Sequence, residues 1–194
     1  MRGILRSGII LAVFTAALWI LEIIDQVGHA GLDQYGLIPR DPDHLAGIIT
    51  MPLLHAGFGH LAANTVPLLV LGLAAAMRGL ARFLAATGII VILGGLLLWL
   101  AGPANTLTVG ASGLIFGYFG YILGRGAFER RIGDIVLAVI MVVVYGSILW
   151  GVLPGDPGIS WQGHLFGFIA GVAAAFALRR IGTPRTTPKP PTVG

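Results

Sequence analysis

A small set of polar residues lies inside long apolar stretches of this sequence, and their types are those of a nucleophilic hydrolase. Ser112 and His164 supply a hydroxyl and an imidazole, the pair that a serine nucleophile and its general base require. His60 and Asn64 are four residues apart, so on a helix they share one face, and both can donate hydrogen bonds to an oxyanion. These residues predict attack on a carbonyl, provided that the fold brings them together.

Three of these polar residues lie at a similar distance from a basic residue that follows them. The separations are fourteen, thirteen and fifteen residues for the pairs Asn64–Arg78, Ser112–Arg125 and His164–Arg179. With a rise of about 1.5 Å per helical residue, each lies about 20–22 Å from the boundary that its basic residue marks. In a hydrocarbon core about 30 Å thick, that depth is about 10 Å below the opposite face. We therefore expect them to meet in one plane.

The stretches that must position these residues are long and nearly free of charge. Of 194 residues, 56% are hydrophobic and only 10% are charged, whereas a soluble domain needs far more charge to cover its surface. No Asp, Glu, Lys or Arg occurs between Arg82 and Arg125 or between Asp134 and Asp156. The sequence is therefore predicted to be all-α and polytopic, with a lipid bilayer around it.

Six apolar segments are predicted to span the membrane: residues 8–24, 56–77, 83–100, 112–124, 135–153 and 161–178. The first is expected to be a retained span and not a cleaved signal peptide. Eleven of the twelve basic residues fall in four clusters: Arg2 and Arg6; Arg78 and Arg82; Arg125, Arg130 and Arg131; and Arg179, Arg180, Arg185 and Lys189. By the positive-inside rule all four clusters, and so both termini, are expected to be cytoplasmic.

The predicted domain organisation is one membrane domain, residues 1–181, followed by a disordered cytoplasmic tail, residues 182–194. The fourth span, from Ser112 to Gly124, is expected to cover only about 20 Å. The segment before it should then descend into the membrane as irregular backbone beside a water-filled cavity. Ser112 would begin its helix, where unpaired amides favour an oxyanion. Glycines on the fourth and sixth spans should let these two helices approach closely.

Other chemistries fit the residues less well. The chain has no cysteine, which excludes disulfides, zinc–thiolate sites and a thiol nucleophile, and it has no His-Glu-x-x-His motif for zinc. We expect no metal and no cofactor. The basic charge follows topology and does not form a patch, so no nucleic-acid partner is expected. No acidic residue is placed to complete a Ser-His-Asp triad, which leaves a dyad. Taken singly, Ser112, Asn64 and His55 have structural explanations in helix packing or hydrogen bonding.

Three motifs in this order resemble the rhomboid family of intramembrane serine proteases. His55, His60 and Asn64 have the spacing His-x4-His-x3-Asn of its second span. Residues 110–113 resemble its Gly-x-Ser-Gly motif, with Gly110, Ser112 and Gly113. His164, followed by Gly167 and Gly171, resembles its sixth-span histidine with small residues. The resemblance covers about residues 51–171.

This resemblance implies a six-helix transmembrane bundle of the bacterial type and a Ser112–His164 dyad. It implies an oxyanion hole formed by His60, Asn64 and the backbone N–H of Ser112, and an aromatic residue, Phe116, packed on the catalytic histidine. Gly110, Gly113, His55, Gly167 and Gly171 are supporting residues. A mobile loop, residues 154–160, should cap the site, and substrates should arrive beside the fifth span.

The implied activity is that of a serine endopeptidase that cleaves transmembrane or juxtamembrane segments of membrane proteins. The expected location is a bacterial plasma (inner) membrane, with the active site open to the extracytoplasmic side. Many rhomboids carry a Trp-Arg pair before the second span, and residues 46–49 lack it, which leaves the anchoring of the first outer loop open. Two alternatives stay open: an inactive rhomboid-like protein that binds membrane helices, and a small transporter that uses the polar plane as a binding site.

Overall fold

The computed structural model describes residues 2–155 and 158–179, with side chains from Leu5 onward. The predicted tail, residues 182–194, lies outside the described residues. So do Asp156 and three basic residues of the last cluster, Arg180, Arg185 and Lys189.

Helices account for nearly all the regular structure in the described ranges. Seven α-helices are present: α1 (Arg2–Gly28), α2 (Gly47–Thr50), α3 (Phe58–Ala76), α4 (Leu80–Ala101), α5 (Ser112–Glu129), α6 (Ile132–Tyr145) and α7 (Trp161–Ala177). Short 3-10 turns lie at Leu32–Tyr35, Pro42–His44, Met51–Leu53 and Gly146–Val152. Residues 2–155 and 158–179 contain no β-strand, only a single bridge between Leu37 and Thr108. The predicted all-α class is therefore confirmed.

Four of these helical segments are long and apolar enough to cross a membrane. They are Leu5–Gly28 within α1, α3, α4, and the stretch Ile132–Val152 that combines α6 with the following 3-10 turn. Helix α7 is apolar but shorter. The sequence therefore locates its apolar helices well, but two of them are clearly longer than expected. Helix α1 extends beyond the predicted span 8–24 at both ends, and the helix that carries Ser112 ends later than predicted.

Helix α5 begins at Ser112 as predicted, but the prediction that it ends near Gly124 was wrong. It continues to Glu129, which makes it 18 residues and about 27 Å long. The reason is that Arg125 does not mark a boundary: its side chain is 2% exposed and forms an ion pair with Asp134 of α6. A paired guanidinium can remain inside a helix bundle where an unpaired one could not.

A polar network joins the helices at the end of α5 away from Ser112. The buried carboxylate of Asp134 pairs with Arg125 and with Arg78, which follows α3. Arg82 of α4 donates to Glu129 at 2.6 Å. Breaking a buried pair on one side leaves an unpaired charge, which costs about 3–5 kcal/mol. This network therefore holds α3, α4, α5 and α6 in register at one end of the bundle.

Helices α5 and α7 pack backbone against backbone through glycines. A Cβ added at Gly167 would overlap the carbonyl of Gly113, and one added at Gly171 would overlap the carbonyl of Gly117. Larger side chains would force the helices apart, so the glycine faces noted in the sequence are what lets the two axes approach. Helix α5 lies at the centre, with Tyr118, among others, almost fully buried.

The long loop between α1 and α3 is anchored without a Trp-Arg pair at residues 46–49. Arg40 donates from its guanidinium to the carbonyl of Gly102 at 2.8 Å, at the end of α4. The indole of Trp99 donates to the carbonyl of Asp41 at 3.0 Å. Leu37 and Thr108 exchange two backbone hydrogen bonds of 3.0 and 2.8 Å. An arginine and a tryptophan do hold this loop, but they come from other positions in the sequence.

Candidate active site

Ser112 and His164 lie at facing ends of the two closely packed helices. Ser112 is the first residue of α5, and His164 is in the first turn of α7. The Oγ of Ser112 is 2.9 Å from Nε2 of His164, within hydrogen-bonding distance. Since the glycine contacts bring α5 and α7 together directly below this point, the pairing of hydroxyl and imidazole depends on that packing.

The imidazole of His164 is fixed by two further contacts. Its ring stacks on Phe116, one turn along α5 from Ser112, with centroids 4.2 Å apart and planes inclined by 7°. Its Nδ1 lies 2.9 Å from the carbonyl oxygen of Gly151, in the 3-10 turn after α6. A carbonyl can only accept a hydrogen bond, so the proton of a neutral ring belongs on Nδ1. Nε2 is then the acceptor that faces Ser112.

His60 and Asn64 lie on one face of α3 and line the cavity in which Ser112 and His164 meet. The Nδ2 of Asn64 donates to the carbonyl of His60 at 3.0 Å, and an amide nitrogen carries a second hydrogen for another acceptor. The ring of His60 packs over Gly110, where an added Cβ would be 2.7 Å from Cε1 of His60. Gly110 also has a φ of 121°, a conformation that glycine adopts readily.

His55 does not line this cavity. It contacts the loop that precedes α5, and its ring packs edge-on against that of His60 with centroids 5.1 Å apart. Its side chain is 1% exposed, and Nε2 accepts the backbone N–H of Ala111 at 3.3 Å. Burial, together with the neighbouring His60, lowers the pKa of His55 to about 4. The ring is therefore neutral at physiological pH, as an acceptor for the Ala111 N–H must be. The structural hydrogen bond foreseen for His55 is present in this form.

The cavity has a volume of about 470 Å³. Beyond the four polar residues of α3, α5 and α7, its walls include Ile148 from the turn after α6 and the segment 158–160 before α7. A second cavity of about 390 Å³ shares His60, Thr108 and Ser160 with the first. Polar groups that converge within a mainly apolar cleft are typical of ligand and substrate sites.

The arrangement is suited to acyl transfer. The first N–H groups of a helix have no carbonyl partner within it, and the positive end of the helix dipole is at the same place. A carbonyl carbon beside the Oγ of Ser112 would therefore have its oxygen near the start of α5 and near Asn64 and His60. Within residues 2–155 and 158–179, no three His, Asp or Glu side chains converge as metal ligands would.

Sequence reasoning missed two contributors to this site. The carbonyl of Gly151 gave no signal, because every residue has a carbonyl and only the path of the chain decides which one reaches His164. Arg40 is the twelfth basic residue, the one outside the four clusters, and no role was predicted for it, yet it anchors the loop beside residues 102–111. The sequence feature that could have indicated this role is the isolation of Arg40, since every other charged residue of the loop between α1 and α3 is acidic.

Comparison with known proteins identifies the family of this chain. The Rhomboid domain family matches residues 42–181. An uncharacterized protein of Mycobacterium tuberculosis is 48% identical over 180 residues, which cover 89% of this chain and 75% of that protein. One from Mycobacterium leprae is 43% identical over 180 residues, 89% of this chain and 71% of the relative. The rhomboid protease GluP of Bacillus subtilis is 34% identical over 137 residues, 68% of this chain and 25% of that protein.

Proposed function

This chain belongs to the rhomboid family, and we propose that it is an intramembrane serine endopeptidase that uses a Ser112–His164 dyad. Its apolar helices and its family make it an integral membrane protein. Its proposed substrates are the transmembrane or juxtamembrane segments of other membrane proteins.

The observation that carries this proposal is the 2.9 Å contact between Oγ of Ser112 and Nε2 of His164 on the wall of a cavity. A serine buried only to pack two helices would have no need of an imidazole acceptor beside a space of about 470 Å³. The contact favours a hydrolase over a rhomboid-like protein that only binds helices, because a hydroxyl and an imidazole lie within the hydrogen-bonding distance that a nucleophile and its base require.

In the proposed reaction, the Oγ of Ser112 attacks the scissile carbonyl carbon while its proton moves to Nε2 of His164. The carbonyl oxygen becomes an oxyanion. When the intermediate collapses, His164 returns that proton to the leaving amine, the C–N bond breaks, and an ester to Ser112 remains. His164 then takes a proton from water, the resulting hydroxide attacks the ester, and Ser112 is released with its proton restored.

The oxyanion is proposed to be held by Asn64, His60 and the backbone N–H of Ser112. The second amide hydrogen of Asn64 and the helix-start N–H are donors without a required partner elsewhere in their helices. His55 contributes indirectly, since its bond to the N–H of Ala111 holds the backbone one residue before Ser112. Such preorganised donors are where most of the rate enhancement of acyl transfer arises.

We also propose the membrane arrangement that the charges indicate: six spans, with both termini in the cytoplasm of a bacterium and the site open to the extracytoplasmic side. The ion pairs of Arg78, Arg82 and Arg125 support it, because they gather at the end of the bundle opposite Ser112. The two other proposed spans are α5, which is 18 residues long and carries Arg125 and Glu129, and α7, which is shorter; these two helices pack against each other within the bundle.

The test is cleavage of a labelled transmembrane substrate by purified protein in lipid vesicles. The native protein should cleave it, and Ser112→Ala and His164→Ala should not. Ser147→Ala is the matched control, because Ser147 is an exposed serine in the turn after α6 and should leave turnover unchanged. Equal cleavage by Ser112→Ala and native protein would end the proposal.

A fluorophosphonate probe separates the enzyme from the two alternatives. Covalent labelling should occur at Ser112 and be lost in His164→Ala, because the serine is activated by its base. A transporter would instead give solute flux into vesicles that survives Ser112→Ala. An inactive helix-binding protein would bind the substrate segment but show neither labelling nor cleavage.

A further inference from the structure

We propose that the main-chain carbonyl of Gly151 is the positioning group for His164, in the place where many serine hydrolases have a carboxylate. The inference rests on the proposed roles of Ser112 and His164 and adds a third member to their arrangement. In this proposal, the 3-10 turn Gly146–Val152 determines the tautomer of His164, that is, which ring nitrogen carries the proton.

Among the described contacts of His164, only the carbonyl of Gly151 can orient its ring through Nδ1. Its Nε2 is engaged by Ser112 and its face by Phe116, and Nδ1 lies 2.9 Å from the oxygen of Gly151. Within residues 2–155 and 158–179, no Asp or Glu side chain forms a hydrogen bond or ion pair with this ring. A base must be held in one tautomer by a group on its far nitrogen. The carbonyl of Gly151 meets that requirement.

Residue 151 can serve this role because it is a glycine. A Cβ there would be 3.0 Å from Cζ of Phe116 and 3.1 Å from Nδ1 of His164, closer than side-chain carbons ordinarily come. Any other residue would press on the ring that the carbonyl has to reach. Gly146, at the start of the same turn, has no such constraint, since a Cβ there would meet only Val142 at 3.6 Å.

The turn follows α6, and the segment Ile132–Val152 that holds both is the least buried of the four long apolar segments. The side chains of Val139, Val143 and Val144 in α6 are 57%, 79% and 60% exposed, and few residues of α6 are buried. The buried ion pair of Asp134 holds the other end of this helix. His164 is therefore oriented by the end of α6 that is less firmly held. A displacement of the turn would release Nδ1 and leave the ring held only by Ser112 and Phe116, with neither ring nitrogen fixed as the one that carries the proton.

The sharpest experiment weakens the Gly151 carbonyl and changes no side chain, at the cost of one backbone N–H. Replacing Val152 with the corresponding α-hydroxy acid converts the Gly151 carbonyl from an amide into an ester, which is a weaker hydrogen-bond acceptor. We expect kcat to fall about three- to tenfold, the range of one hydrogen bond, with KM unchanged. The matched control is the same replacement at Leu153, which also removes one backbone N–H of this turn, the donor to the carbonyl of Trp150, and weakens the carbonyl of Val152 and not that of Gly151. It should leave kcat within about twofold of the native value, less than one hydrogen bond is worth.

The second readout does not depend on turnover. In protein with ¹⁵N-labelled histidine rings, the His164 signals are identified by their loss in His164→Gln, and their shifts report the tautomer. We expect a proton on Nδ1 in the native protein and a shift of that nitrogen in the Val152 ester alone. A proton on Nε2, or equal kcat values in the two ester proteins, would overturn the role of Gly151. Cleavage by Ser112→Ala would instead overturn the proposed function itself, whatever the tautomer.

Discussion

At the scale of single residues, the amide of Asn64 has one donor committed and one free. Its Nδ2 donates to the carbonyl of His60 within α3, while the side chain also lines the cavity beside Ser112. The committed bond fixes the rotamer, so the second N–H points in one direction without further cost of ordering. A donor held in this way is worth more to an oxyanion than a mobile one.

We therefore predict that Asn64→Ala lowers kcat by about 10²–10³ with little change in KM. Removing a donor that acts mainly in the transition state affects the chemical step and not substrate binding. The measurement is cleavage of the transmembrane substrate, with the rate of fluorophosphonate labelling as a second reading. Val66→Ala, an exposed change on the same helix, is the control. A drop of less than threefold would remove Asn64 from the oxyanion hole.

His55 gives a prediction about acid stability. Its pKa is about 4 in the folded protein, against 6.5 when unperturbed, because burial disfavours the charged ring. Between these values the unfolded chain binds a proton that the folded chain does not. The stabilisation is therefore complete above pH 6.5 and declines as the pH falls toward 4, by about 3 kcal/mol at most.

This decline should appear as a lower midpoint of thermal unfolding in detergent as the pH is reduced from 7 to 4.5. His55→Gln should show a shallower pH dependence than the native protein, since the titrating group is gone. The control is His29→Asn, which removes an exposed histidine and should keep the native slope. Parallel curves for the native protein and His55→Gln would contradict the assignment.

At the scale of elements, the seam of glycines between α5 and α7 determines whether the dyad can form. Gly171→Ala would force a methyl group into the carbonyl of Gly117, and neither backbone can move without shifting a whole helix. We expect a loss of about 1–3 kcal/mol in stability and a marked loss of cleavage, because Ser112 and His164 sit on these two helices. Thermal unfolding and cleavage assays measure the two effects.

The matched control for this seam is Gly88→Ala in α4, where an added Cβ meets nothing within 4 Å. There the change should be neutral or stabilising by up to about 1 kcal/mol, since alanine favours a helix over glycine. If both alanine variants behaved alike, close backbone packing would not explain the glycines of α5 and α7.

Some features of these elements could be predicted from the sequence and others could not. The start of α5 at Ser112 was predictable, because an irregular segment rich in turn residues precedes an apolar run. Its end was not, because Arg125 is neutralised by Asp134, and a pairing between two helices leaves no mark in either one. The approach of the Gly151 carbonyl to His164 was likewise hidden, since it depends on how the chain turns after α6.

At the scale of the whole molecule, two polar zones lie at opposite ends of an apolar bundle. One is the cavity around Ser112, and the other is the ion-pair network around Asp134. Ser112 and Arg125 are thirteen residues apart on α5, about 20 Å along the helix. Charges that are paired and buried at one end hold the helices together, while the cavity of about 470 Å³ at the other end leaves room for the proposed substrate and water.

The location of the cavity at one end and of the ion pairs at the other predicts the orientation of the protein in the membrane. The lack of cysteines makes the test simple. Single-cysteine variants Asp43→Cys, in the outer loop, and Arg131→Cys, between α5 and α6, place one thiol at each end. A membrane-impermeant maleimide should label Asp43→Cys in intact spheroplasts and Arg131→Cys only after lysis, because the proposed topology places the basic clusters in the cytoplasm. The reverse pattern would turn the cavity around Ser112 toward the cytoplasm, and the proposed substrates would then have to be cut from that side.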